Sequence, residues 1–225
     1  MAKKIKAKAK AKARPLKPFS KIAPSVQTGD VILMHGEFPG SKLIELGEWS
    51  IWSHSGMVVR AEDIGMKGKV PDLLFWESNT LKNLDDVILK VGKEGPMLVD
   101  LLERFKTNAT TYNESLMCYI KVNIKRTPKM YQDYLNFIPK VHGATFPSDI
   151  EMAGMELLGR LLKHQTPLDK IFCSELLAGT FQAMGWIDDT WPWNAYEPGD
   201  FTKPGKVELQ LGGRLSPLVK FNPLK

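Results

Sequence analysis

Cysteine is scarce: the 225 residues hold two, Cys118 and Cys173. Two thiols cannot build the disulfide framework of a small secreted scaffold, so free thiols in a reducing compartment are expected. They form no Cys-x-x-Cys pair, which leaves a dithiol redox centre without its usual motif. No stretch approaches eighteen consecutive apolar residues, which excludes a membrane-spanning helix. The N-terminus lacks the apolar core of a secretory signal, because alanine alternates with lysine where that core would lie. A cytoplasmic location is therefore expected, and the inside of a virus or phage particle suits such a chain equally. There are four histidines, and no His/Cys/Asp/Glu set has zinc spacing, so neither metal nor cofactor is expected. No internal repeat is visible.

Acidic residues are missing before Asp30, whereas residues 1–21 carry nine bases: Lys3, Lys4, Lys6, Lys8, Lys10, Lys12, Arg14, Lys17 and Lys21. Everything after them holds 22 basic against 25 acidic residues, a net −3. The formal charge of +6 thus averages a basic arm with a slightly acidic body. The alternating lysines repel one another and the alanines between them offer little apolar surface, so residues 1–21 read as a disordered arm. Such an arm is a solubilising tail or a binder of polyanions. Nucleic acid or an anionic surface would be held through Lys3–Lys21 by phosphate contacts, without base reading.

With 43% hydrophobic and 25% charged residues, the rest of the chain has material for one medium core. Residues 22–225 are expected to form one domain. Thr28-Gly29-Asp30 reads as a turn into a buried strand, Val31-Ile32-Leu33-Met34. Gly36 to Gly40 read as a loop, with Ser41 capping a short helix through Leu43, Ile44 and Leu46. Trp52 to Val59 and Leu73 to Ser78 are expected to form a hairpin. Met97 to Phe105 reads as a strand running into a helix, and Leu116 to Val122 as another strand.

The second half is helical. Pro128 opens one helix, and Ser148-Asp149-Ile150-Glu151 is a capping box before Met152, Met155, Leu157, Leu158, Leu161 and Leu162. A third helix starts at Cys173 and stops at Gly185. Strands followed by helices predict an α+β fold rather than alternating βαβ units.

Cys173 lies in Ile171-Phe172-Cys173-Ser174-Glu175-Leu176-Leu177, where two bulky apolar residues precede it and a periodic helix follows. The sulfur then sits at a helix N-terminus, whose unpaired N–H groups favour a thiolate and suit an oxyanion. A lone cysteine is more often a small buried hydrophobe, and Cys118, inside a strand, is read that way. A thiol nucleophile needs a base, and the base an orienting group. His35 and His142 precede glycines in loops, and His164 ends a helix. His54 differs, because it opens a strand between Ser53 and Ser55. Glu77 sits near the end of the adjacent strand, where a buried acid needs a partner. A hairpin brings the two side by side.

These blocks in this order (Thr28-Gly29-Asp30-Val31, Trp52-Ser53-His54-Ser55-Gly56, Trp76-Glu77-Ser78 and Phe172-Cys173-Ser174-Glu175-Leu176) resemble the permuted papain-like amidases. These belong to the NlpC-like superfamily and are related to the lecithin retinol acyltransferase group. The resemblance covers roughly residues 27–200. It implies a circularly permuted papain-like (NlpC-like) fold, an antiparallel sheet packed on helices including the nucleophile helix. It also implies that Cys173 is the nucleophile, His54 its base and Glu77 the orienting acid. A helical insertion around 128–165 departs from the family pattern, and the arm lies outside it.

The function so implied is a cysteine-dependent hydrolase or acyltransferase acting on an amide, ester or thioester of a small-molecule, peptide or lipid substrate. The aromatic run from Trp186 to Tyr196 reads first as a packing cover and second as a wall for an acyl group. The rival is a nucleic-acid-associated or virion structural protein that uses its arm and keeps the fold idle.

Overall fold

The computed structural model describes residues 16–35, 51–111, 116–203 and 205–225. The loop and helix expected over 36–46 lie outside them, as do residues 1–15 of the arm. Nine short strands and four α-helices are assigned among the described residues, an α+β architecture. In chain order they are β1 (Lys17–Pro18), β2 (Val31–Met34), β3 (His54–Arg60), β4 (Leu73–Asn79) and β5 (Gly95–Asp100). Next come α1 (Leu101–Thr111), β6 (Met117–Ile120), β7 (Val122–Asn123), α2 (Pro128–Val141) and α3 (Asp149–Leu162). The last are α4 (Cys173–Ala183), β8 (Arg214–Leu215) and β9 (Val219–Asn222).

Seven strands form one sheet in the order β1-β9-β6-β2-β3-β4-β5, antiparallel except for the parallel β1–β9 edge. Every residue of β2 is buried, as a central strand covered on both faces requires. Strand alternation sends successive side chains of β3 and β4 into two different cores. Met57, Val59 and Trp76 face α2 and α4, while Val58 and Phe75 face Phe105 of α1. Gly56 has to be small, because a Cβ there would lie 2.4 Å from the Phe75 ring.

Asp30 ties the start of β2 to the chain around it. Its carboxylate accepts from Gln27 N at 2.9 Å, Tyr119 Oη at 2.6 Å, Val122 N at 2.9 Å and Arg126 Nη2 at 3.0 Å. Gly29, at φ +96°, allows the Trp186 ring to close over the turn, and any Cβ would overlap it. Three of the late aromatics are packing here, while Trp191 is 39% exposed. Trp186 is fully buried, Tyr196 nearly so, and Trp193 covers Gly179.

One expectation needs correction. The arm does not extend to residue 21: Lys17–Pro18 pair with β9, and Phe19 is 2% exposed. Phe19 stacks edge-on against Phe105 at 4.8 Å and tilts on Phe221 at 5.2 Å. The lysines flanking it hide an aromatic anchor that a charge count overlooks. Phe19→Ala should cost about 3–5 kcal/mol, read as a lower urea midpoint, whereas removing residues 1–15 should leave the midpoint unchanged. A Phe19→Ala loss within about 0.5 kcal/mol would reject the anchor.

Residues 128–165 form two helices that pack differently. α2 starts as expected, with Thr127 Oγ1 accepting from Met130 N at 3.4 Å. Tyr134 and Val141 are fully buried, and Tyr134 meets Trp76 edge-on at 5.9 Å. α3 also starts at its capping box, yet much of its apolar face is uncovered: Leu157 is 58% and Leu161 71% exposed. α3 is held instead through its other side. Arg160 binds Glu197 at 2.5 Å and Asp200 at 2.8 Å, and Gly159 lies against the backbone of Asn194 and Ala195. No helix among the described residues is long and apolar enough to cross a membrane.

Candidate active site

Three elements converge where β3 begins and β4 ends. The β3–β4 ladder runs from Arg60–Leu73 to Met57–Trp76, and His54 and Glu77 lie just past its last pair, at the start of β3 and near the end of β4. Their side chains meet: His54 Nε2 lies 2.6 Å from Glu77 Oε2. Glu77 is fully buried and His54 is 13% exposed. With Nε2 engaged, Nδ1 is the ring nitrogen left for the sulfur, and the Cys173 side chain hydrogen-bonds the imidazole.

Cys173 is the first residue of α4 and is 6% exposed. Phe172 before it has no side chain that can cap the helix, so it leaves the first-turn N–H groups unclaimed. Glu175 Oε2 instead reaches back to Phe172 N at 3.4 Å. Two hydrogen bonds fix α4 against β4. Ser78 Oγ donates to Ile171 O at 2.5 Å, and Trp76 Nε1 donates to Thr180 Oγ1 at 3.0 Å. Thus Trp76 and Ser78 clamp the cysteine helix on one face of β4 while Glu77, between them, points to the other.

Charge is arranged to favour a thiolate beside an imidazolium. Burial pushes the Cys173 thiol up, but the hydrogen bond and charge of His54, with the Ser55 backbone N–H, bring it below its ordinary value. Burial also disfavours the charged imidazole. The hydrogen bonds and negative charges of Cys173 and Glu77 outweigh it and raise His54 to about 10. For Glu77, burial is opposed by the Arg104 charge and by the His54 and Asn79 hydrogen bonds, which hold the carboxyl down at about 2.

Sequence reasoning missed Arg104 and Asn79. Arg104 Nε lies 2.6 Å from Glu77 Oε1, with both side chains fully buried. Asn79 Nδ2 donates to Glu77 Oε2 at 3.2 Å. Asn79 was visible as the next same-face residue on β4. Arg104 was not, because a base inside Leu101-Leu102-Glu103-Arg104 reads as an ordinary solvated helix position. The other histidines lie elsewhere. His142 pairs with the buried Asp86 at 2.9 Å, and His35 meets Ile51 O at 2.6 Å. Cys118 is buried in β6, and burial raises its thiol to about 11.

Glu175, two residues after Cys173, is buried with no cationic partner among the described residues. Burial raises it to about 8, against hydrogen bonds from Gln165 Nε2 at 3.0 Å and Phe172 N. A carboxyl whose folded value exceeds its unfolded one stabilises below the unfolded value and loses that contribution as pH rises toward 8. Glu175→Gln should therefore raise stability at pH 7 by roughly 1–3 kcal/mol and change little near pH 4, read by thermal melts at both. Equal melting at pH 7 would mean that Glu175 is not held neutral.

Among the described residues, no group of three or more His, Cys, Asp or Glu side chains is arranged to hold a metal ion. No protein-family model and no curated protein matches the chain. Among solved structures, it resembles the crystal structure of metalloprotein yiiX from Escherichia coli O157:H7, a DUF1105 protein, at 18% identity and a TM-score of 0.44. The match covers 70% of this chain and 65% of that one, so the chain spans just under two thirds of that protein.

Proposed function

We propose that the protein is a cysteine-dependent hydrolase or acyltransferase of circularly permuted papain-like (NlpC-like) fold, acting on an amide, ester or thioester. The observation that carries this reading is the unbroken series Cys173–His54–Glu77, closed by the 2.6 Å His54–Glu77 contact at the start of the cysteine helix. A buried thiol without that series is an inert packing residue, as Cys118 illustrates.

In the proposed reaction the Cys173 thiolate attacks the acyl carbon, and the carbonyl oxygen takes up negative charge. Backbone N–H groups at the N-terminus of α4 stabilise that oxyanion. The tetrahedral intermediate collapses, and His54 gives its proton to the departing amine, alcohol or thiol. Cys173 is left as a thioester. Water, or an acceptor nucleophile in the acyltransferase variant, then gives a proton to His54 and attacks that thioester, releasing the acyl product. Glu77 keeps the ring oriented and offsets its charge throughout.

The test is a panel of peptide amides, acyl esters and acyl thioesters, each with wild type and Cys173→Ala. Turnover of one class by wild type alone, with an acyl adduct trapped on Cys173, is the expected result. Alkylation of wild-type Cys173 by iodoacetamide no faster than Cys118, with no turnover, would instead assign the chain to an idle fold.

A further inference from the structure

Glu77 belongs to the triad, but only one of its oxygens serves His54. The other faces a guanidinium from the opposite layer of the protein. Arg104 projects from the first turn of α1, is fully buried, and places Nε 2.6 Å from Glu77 Oε1. The rest of its fork is also held: Nη1 donates to Asn83 Oδ1 at 3.0 Å, and Nη2 lies 3.8 Å from Met97 Sδ. Met97 is the β5 residue registered opposite Glu77 itself. A guanidinium gripped at all three nitrogens has one orientation.

A buried carboxylate bonded to an imidazolium has two ways to share one proton. In a dry site the neutral pair, carboxylic acid with imidazole, competes with the ion pair, because burial penalises both charges. The neutral pair does not sustain a Cys173 thiolate, since a neutral imidazole offers it no positive counter-charge. A permanent positive charge on the far oxygen penalises protonation of the carboxyl and so selects the ion pair.

We propose that Arg104 is a positioning residue that keeps the shared proton on His54 rather than on Glu77, and thereby sustains the Cys173 thiolate from across the sheet. This rests on the thiolate reading of the site. The charged groups facing the Glu77 carboxyl are Arg104 from α1 and His54 from β3, with Asn79 of β4 as a neutral donor. Those facing His54 are Glu77 and, from α4, Cys173. The four groups alternate in sign from Arg104 to Cys173, so the buried set has no net charge.

The experiment is the pH dependence of Cys173 alkylation by iodoacetamide in wild type, Arg104→Met, Arg104→Lys and His54→Ala, each checked for folding by thermal melting. Arg104→Met should raise the midpoint by about one pH unit or more, a loss of labelling on the order of tenfold below it. The rate at saturating pH should not change. Arg104→Lys should recover most of the shift, because charge is the agent. A folded Arg104→Met with the wild-type midpoint overturns the proposal if His54→Ala still shifts. If His54→Ala does not shift either, the thiolate reading itself fails.

Should Arg104→Met not fold, a carbon-13 carboxyl titration of wild-type Glu77 decides the matter. An ionised carboxyl from pH 4 upward supports the assignment, and protonation of Glu77 around neutral pH overturns it.

Discussion

Replacing His54 with alanine is expected to raise the pH midpoint of Cys173 alkylation past that of a free thiol, about 8.5. The sign follows from the two forces on the sulfur. Burial opposes the thiolate, and the imidazolium is the first of the groups that oppose burial, ahead of the Ser55 N–H and side chain. With the imidazole gone the stronger compensation is lost, so the thiol moves above the ordinary range rather than merely back to it. At pH 6.5 a thiol of pKa about 8.5 is ionised to roughly 1%, so the variant should label far more slowly there than wild type. Cys118, whose thiol is raised to about 11 by burial, is the internal control and should label slowly in both proteins. Identical midpoints for wild type and His54→Ala would dismiss the pairing.

Glu77→Gln should have two separable consequences. Glutamine keeps the shape and retains an oxygen for His54, but it removes the negative charge that offsets both the imidazolium and Arg104. Turnover should fall by about 10–10⁴-fold, the span expected of an orienting third member. Stability should fall as well, by about 3–5 kcal/mol, because Arg104 becomes a buried charge without a counter-ion. Adding Arg104→Met to Glu77→Gln removes that stranded charge. The double variant should recover much of the lost stability and none of the lost turnover, measured by urea midpoints and steady-state rates on the same preparations. If the double variant also recovers turnover, Glu77 was acting through the fold and not through His54.

Both outcomes depend on the pleat of β4. Trp76 and Ser78 face the cysteine helix, and Glu77 faces α1. One three-residue stretch therefore both docks the nucleophile and reaches the groups that charge it. A one-residue slip of β4 against β3 would exchange these faces and dissolve the site while keeping every strand.

Much of this was legible along the chain because it is local. Turn chemistry at Gly29-Asp30, alternation in Leu73–Ser78, Pro128 at a helix start and the Ser148–Glu151 box each act over a few residues. Elements therefore came out near their observed bounds. Cys173, His54 and Glu77 could also be singled out, since a thiol at a helix start and an acid in an apolar strand are locally anomalous. What their neighbours contribute is not local. Arg104, Phe19 and Leu161 look in sequence like a solvated base, a residue of a lysine arm and a core leucine. Tertiary packing made the first a buried counter-ion, the second an anchor and the third an exposed side chain. The physical reason is common to all three: burial depends on which surface a residue meets across the chain. For Glu77 that surface comes from α1, and periodicity within either element carries no information about the other.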